Sequence, residues 1–258
     1  MTALFFRIKA QYLKTAMEYP LNFWMMAIAG ILMRGSVYLA VFILYSSIPQ
    51  IPGWTESELY LLLSFMYLSE GFATLLFDGV WHIPRLIHQG ELDVYLSRPA
   101  SPLFQVIASE IGLQGVGIMA MGLYTLCASL HALGRLSPAV LILSIVAAFL
   151  GSIIRLSVNL ISNSLAFWLR GSSLNLAYMV HSIGEFARYP VSIYPLWLRV
   201  VLWGLIPYAF ISTVPVLILR DGGGAARLAL LAAVAFLSLA AGRGVFYAGL
   251  KRYESSGG

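Results

Sequence analysis

Charge is what this sequence has least of. Only 10% of its 258 residues are Asp, Glu, Lys or Arg and 60% are apolar, whereas soluble domains run at about 25% and about 45–50%. Sixteen Lys and Arg with eleven Asp and Glu cannot cover a water-soluble body of this size. Cysteine is almost absent. Cys127 stands alone in an apolar run, which excludes a disulfide framework and a thiolate metal site. No Gly-Lys dipeptide occurs, so there is no G-x-x-x-x-G-K-[ST] phosphate loop, and ATP hydrolysis by that route is excluded for this chain. The net charge of +5 is too small for a polyanion footprint, which excludes nucleic acid as a partner. What the chain does have is long apolar runs. With a mean hydropathy of +0.84, it reads as an all-α polytopic membrane protein.

A hydrocarbon core of about 30 Å takes about 20 apolar helical residues. Six runs meet or approach that length: 21–47, 59–77, 103–130, 138–169, the short 173–187, and 225–250. A seventh, 193–219, is interrupted by Pro195, Pro207 and Pro215. A proline in mid-run removes a helical hydrogen bond and clashes with the preceding turn. This segment is therefore expected to form a re-entrant helical pair on the external side, within 189–219. In residues 1–19, Arg7, Gln11, Lys14 and Glu18 mark one helical face and Phe5, Ile8, Tyr12, Ala16 and Tyr19 another. That pattern is expected of an interfacial amphipathic helix; a helix packed on protein is the other reading. The run that follows is too long for a secretory signal, and no small-residue cleavage site follows it. Lys9, Lys14 and Lys251 flank the first and last runs, which favours both termini on the cytoplasmic side of six crossings. The whole of 1–258 is expected to be one transmembrane domain.

Charges inside the runs are costly and need partners. Counting Arg34 from the cytoplasmic end of its run and Glu70 from the external end of the next puts both near mid-bilayer; counting from the cytoplasmic side puts Arg155 and Glu185 at matching depth and Glu110 and Arg243 at a shallower one. Three opposite-charge pairs are expected. Ser144, Ala148, Gly151, Arg155, Asn159 and Asn163 share one helical face, as do Asn175, Tyr178, His181, Ser182, Glu185 and Arg188. Two readings stand for these faces: hydrogen-bonded glue between helices, or the lining of a translocation route.

The longest polar segment is 78–102, which reads DGVWHIPRLIHQGELDVYLSRPASP after the second run. Val80, Ile83 and Ile87 fall on one side of a short helix that Gly90 stops, and Leu92, Val94 and Leu96 then alternate. An exposed amphipathic element of this kind docks a cytoplasmic partner or floats at the headgroups. His82 and His88 with Glu91 and Asp93 do not make a metal site, since six-residue spacing puts the rings on different faces. Ser172 and His181 lack any oxyanion-hole motif, which argues against a serine protease.

Two segments carry a family resemblance. GELDVYLSRP (90–99) resembles the G-x-L-D-x-x-L-x-R-P loop of ABC-2-type permeases, the membrane half of type-2 ABC exporters, matched at Gly90, Leu92, Asp93, Leu96, Arg98 and Pro99. YPVSIYPLWLRVVLWGLIPYAFISTVP (189–215) resembles the family's proline-rich external segment before the last span. The resemblance implies six membrane helices, an interfacial N-terminal helix and an external re-entrant hairpin. It also implies a second permease, identical or homologous, and separate ABC ATPase subunits that hold ATP and Mg; no cofactor is expected on this chain. The 78–102 loop would dock the ATPase through Ile83, Arg85, Ile87, Gly90, Leu92, Asp93, Leu96, Arg98 and Pro99. Arg34, Glu70, Arg155, Asn159, Asn163, His181 and Glu185 would form the interhelical or translocation faces. The implied activity is expulsion of a small amphiphilic or drug-like compound from a bacterial cytoplasmic membrane, with membrane lipid as the surrounding partner. An intramembrane enzyme and a secondary transporter are the alternatives, although only one proline-broken segment appears where paired broken helices are expected of the latter.

Overall fold

The computed structural model describes residues 2–47, 51–169, 173–221 and 224–254, and every regular element among them is helical. In order these are α1 (Thr2–Met17), α2 (Pro20–Ser47), α3 (Glu56–Phe77), α4 (Ile83–His88), α5 (Leu92–Leu96), α6 (Pro102–Ala108), α7 (Gln114–Ala132), α8 (Pro138–Ser164), α9 (Ser173–Gly184), α10 (Leu196–Val200), α11 (Ala209–Asp221) and α12 (Gly224–Leu250). Short 3-10 turns at Asp78–His82 and Glu185–Arg188 extend α3 and α9.

Local chemistry fixes several helix starts. The Thr55 hydroxyl accepts from the Glu58 N–H at 3.4 Å, while the Glu58 carboxylate accepts from the Thr55 N–H at 2.9 Å, a capping box opening α3. Ser101–Pro102 and Ser137–Pro138 open α6 and α8, the serine capping and the proline standing where no intrahelical N–H is needed. Gly90 and Gly134 turn the chain at φ +73° and +63°, a region costly for any side chain.

Among the described residues, five helical runs are long and apolar enough to cross a membrane: Pro20–Ile43, Glu56–His88, Gln114–Ala132, Pro138–Phe167 and Gly224–Leu250. A sixth arises if Leu196–Leu205 and Ala209–Asp221 count as one, although these halves meet at 90°. Two expected spans need correction. The 103–130 run breaks between Ala108 and Gln114, so α6 belongs to the polar loop. The 173–187 run yields only the 12 residues of α9, about 18 Å of helix, and does not span alone.

The bundle is built around α3, which packs on α7 and α8, with α11 filling in beside it; α2 covers α7 and α12 covers α8. Much of α2 and α12 faces outward. Without a hydrophobic driving force inside lipid, such helices hold by close packing of small residues. At α2–α7 the backbones all but touch: a Cβ on Gly117 would overlap the Ala27 carbonyl, and one on Gly30 would overlap that of Gln114.

The polar loop is folded and anchored. Val80, Ile83, Leu86, Leu92, Leu103 and Val106 form one core with Leu156 and Leu160 of α8 and Phe246 of α12. Residues 92–96 are a helical turn, not an extended alternation. Helix α1 lies against α6, with Phe5 facing Phe104 and the Lys9 ammonium donating to the carbonyls of Ile107 and Glu110. At the opposite end of the bundle Arg220 donates to the Gly53 carbonyl at 3.0 Å, and Arg135 reaches the Leu219 carbonyl. These two contacts tie α11 to the turns before α3 and before α8.

Candidate functional site

Four helices deliver charge to one place in the bundle. Arg34 of α2 donates to Glu70 of α3. Arg155 of α8, 1% exposed, donates to Glu185 at 3.0 Å. Glu185, at the end of α9, is also 2.9 Å from Arg188, 3.8 Å from Arg34 and 3.9 Å from the His181 ring. The expected pairs Arg34–Glu70 and Arg155–Glu185 are therefore joined, with Glu185 as a hub between three guanidinium groups. Tyr208, at the bend before α11, lays its ring 4.9 Å from the Arg155 guanidinium and supplies a π-face.

The third expected pair does not form. Because α6 ends at Ala108, Glu110 sits in a turn beside the loop, 2.6 Å from His82. Arg243 lies exposed on α12, over the Tyr247 ring at 5.5 Å.

A cavity of about 170 Å³ opens below the charge cluster. Arg34, Glu70, Arg155, Asn159 and His181 line its deep end, and Asp78 and Trp81 of the loop line its other end, with Thr74 and Gln114 between. The polar face of α8 divides by height. Gly151 packs against Ser69 and Ile211, whereas Asn159, one turn past Arg155, borders the cavity. Asn163 turns back, its amide donating to the Asn159 carbonyl at 2.8 Å. Trp81 joins loop to cluster: its ring stacks on Tyr178 at 5.1 Å and meets His181 edge-on at 5.6 Å.

The residues expected to dock a partner separate into two sets. Ile83 and Leu92 are fully buried in the loop's own core, with Ile87 partly so, and cannot be touched from outside. Arg85, Leu96, Arg98 and Pro99 are exposed, as is the unforeseen Val94; Gly90 and Asp93 lie half-buried between. The correction follows from helix geometry, since the apolar side of a short helix is what anchors it and the remaining side is what it offers. Trp81, Asp78, Gln114 and Tyr208 escaped the sequence reading. Only Trp81 carried a signal, as a large aromatic at the start of a polar loop.

A family model described as ABC-2 family transporter protein matches residues 31–257. No curated protein and no solved structure gives a match.

Proposed function

Because the chain belongs to the ABC-2 family of transporter membrane proteins, whose members are transport subunits and not themselves catalytic, we propose that it is the permease subunit of an ATP-driven exporter. One observation carries this reading beyond the family: a cavity with charged and apolar walls runs from the buried charge cluster to the loop that would meet the engine. The topology we assign has α2, α3, α7, α8 and α12 as full crossings. The fifth crossing starts with α9 and finishes through the turns at 185–194. Leu196–Leu205 and α11 then form the re-entrant pair from the external side, and both termini are cytoplasmic. Leu205 and Ile206 line one pocket with Val158 and Ile161 of α8, which fits a hairpin tip reaching past mid-membrane.

In this reading a second permease, identical or homologous, completes the path, and two separate ATPase chains hold ATP and Mg. An ATPase pressing on the exposed face of Arg85, Val94, Leu96 and Arg98 moves a loop whose buried face is locked to α8 and α12. The same loop carries Trp81 against α9, so the push also reaches His181 and Glu185. Rearrangement around the cavity then exposes its content to the other side. The substrate is a small amphiphile, expelled from a bacterial cytoplasmic membrane.

The test is co-purification of the tagged chain from native membranes in mild detergent. A P-loop ATPase is expected in about equal amount, and is expected to be lost in Leu96→Asp and Arg98→Glu while membrane yield is unchanged. Arrival of the chain without an ATPase, under conditions that keep other ABC complexes whole, refutes the reading.

A further inference from the structure

We propose that the intramembrane cavity is a head-group site for an anionic amphiphile that also donates hydrogen bonds. The proposal rests on the permease reading and gives its substrate a chemical class. The charge count comes first. At the cluster end of the cavity Arg34 and Arg155 stand against Glu70; behind that lining Glu185 pairs with Arg155 and with Arg188, which is 20% exposed, and His181 adds charge only when protonated. A positive excess held out of water is costly until an anion joins it.

Unmet hydrogen bonding agrees. The Nε atoms of Arg34 and Arg155 on the donor side, with Glu70 Oε2 and Asn159 Oδ1 on the acceptor side, are buried without a partner. All four residues line the cavity. Buried polar groups are nearly always satisfied, so these four atoms, with the His181 Nδ1 left unpartnered on the same lining, mark a ligand's place. The donors suit a carboxylate or phosphate oxygen, and the acceptors suit an O–H or N–H on the same head.

Size and walls complete the assignment. About 170 Å³ holds a head group rather than a whole drug-sized molecule, whose clefts run to about 300–1,000 Å³. Met33, Phe77 and Ile118 supply apolar wall for the start of a tail. One further carboxylate borders the space. Asp78 lies eight residues beyond Glu70, about 12 Å nearer the loop. There it faces the Lys9 ammonium, which offsets its charge.

The full-length protein in uncharged detergent, titrated with a brominated alkyl phosphate and a brominated alkylamine of equal chain length, tests this through quenching of Trp81. A Trp81→Phe variant identifies the signal. The phosphate is expected to bind at least about tenfold more tightly than the amine, as charge-assisted bonds to guanidinium require. That ratio is expected to fall in Arg34→Gln and rise in Glu70→Gln, opposite shifts that a general folding defect cannot produce. An amine that binds as well as the phosphate, or a ratio indifferent to both substitutions, overturns the proposal. If the ATPase still co-purifies in that case, only the ligand class is lost and the exporter reading stands.

Discussion

At the scale of single residues, the carboxylates of the cluster are unequal. Glu185 meets Arg155, Arg188 and Arg34, whereas Glu70 has one guanidinium within ion-pair distance. Removing one partner of a buried pair costs roughly 3–5 kcal/mol, because the remaining charge is stranded. Glu185→Gln is therefore expected to lower the detergent-solubilised unfolding midpoint more than Glu70→Gln does. Adding Arg155→Gln to Glu185→Gln should recover part of the loss; strictly additive losses in that double-mutant cycle would show the groups to be uncoupled. Lys9 gives a second residue-scale test. Burial against α6 pulls its ammonium down from 10.5 to about 8. Between those two values the unfolded chain holds a proton that the folded chain has released, so this group's contribution to stability rises with pH; below 8 its burial penalty is constant. The midpoint of the native protein relative to Lys9→Met should accordingly improve as pH is raised from 8 towards 10.5, and a flat difference contradicts the burial.

At the scale of elements, the seam between α2 and α7 is set by glycine. A Cβ at Gly117 would overlap the Ala27 carbonyl, while one at Gly244 on α12 meets open space. Gly117→Val is expected to cut the yield of monodisperse protein several-fold, in line with overpacking costs of about 1–3 kcal/mol, and Gly244→Val to leave it unchanged; size-exclusion profiles of the two decide. The loop offers a parallel contrast. Leu92→Asp puts a charge into a sealed core and should reduce the yield itself, whereas Leu96→Asp on the exposed side should not. Western blots of isolated membranes compare the two.

These elements also show where the sequence was readable. Depth counting finds Arg34–Glu70 and Arg155–Glu185 because the apolar runs begin or end legibly at Leu21, Leu59, Leu169 and Ser173. It failed for Glu110 because the apolar run from Leu103 to Leu130 continues through the break at 109–113, where Gly112 is the sole punctuation. Counting gives height and not azimuth. It could place Glu185 at the right depth without showing that three arginines converge on it, or that Tyr208 returns from a distant bend to cover Arg155. The loop's apolar positions were legible as a pattern, but periodicity says only that a face is apolar, and packing decided that Ile83 and Leu92 are anchors.

At the scale of the whole molecule, one route joins the parts. In the proposed function the exposed side of the loop is the input. Its buried side and Trp81 touch α8, α12 and α9, and in the proposed mechanism these contacts carry motion to the cavity beside the charge cluster. A monomer with outward-facing α2 and α12 leaves surface for lipid and for a second permease. In the proposed orientation the cavity lies on the cytoplasmic side of the cluster, so the exporter reading has its content loaded from that side and released after rearrangement.

The most direct test is the accessibility of Thr74, which lines the middle of the cavity, in the assembled complex. A Thr74→Cys substitution on a Cys127→Ser background provides a single thiol for a membrane-impermeant maleimide applied from the cytoplasmic face. Labelling should be rapid without nucleotide and should fall at least about tenfold when ATP is trapped on the ATPase, as expected for a two-state opening driven by nucleotide binding. Equal labelling rates with and without trapped ATP would show that the cavity is not the path the ATPase works on.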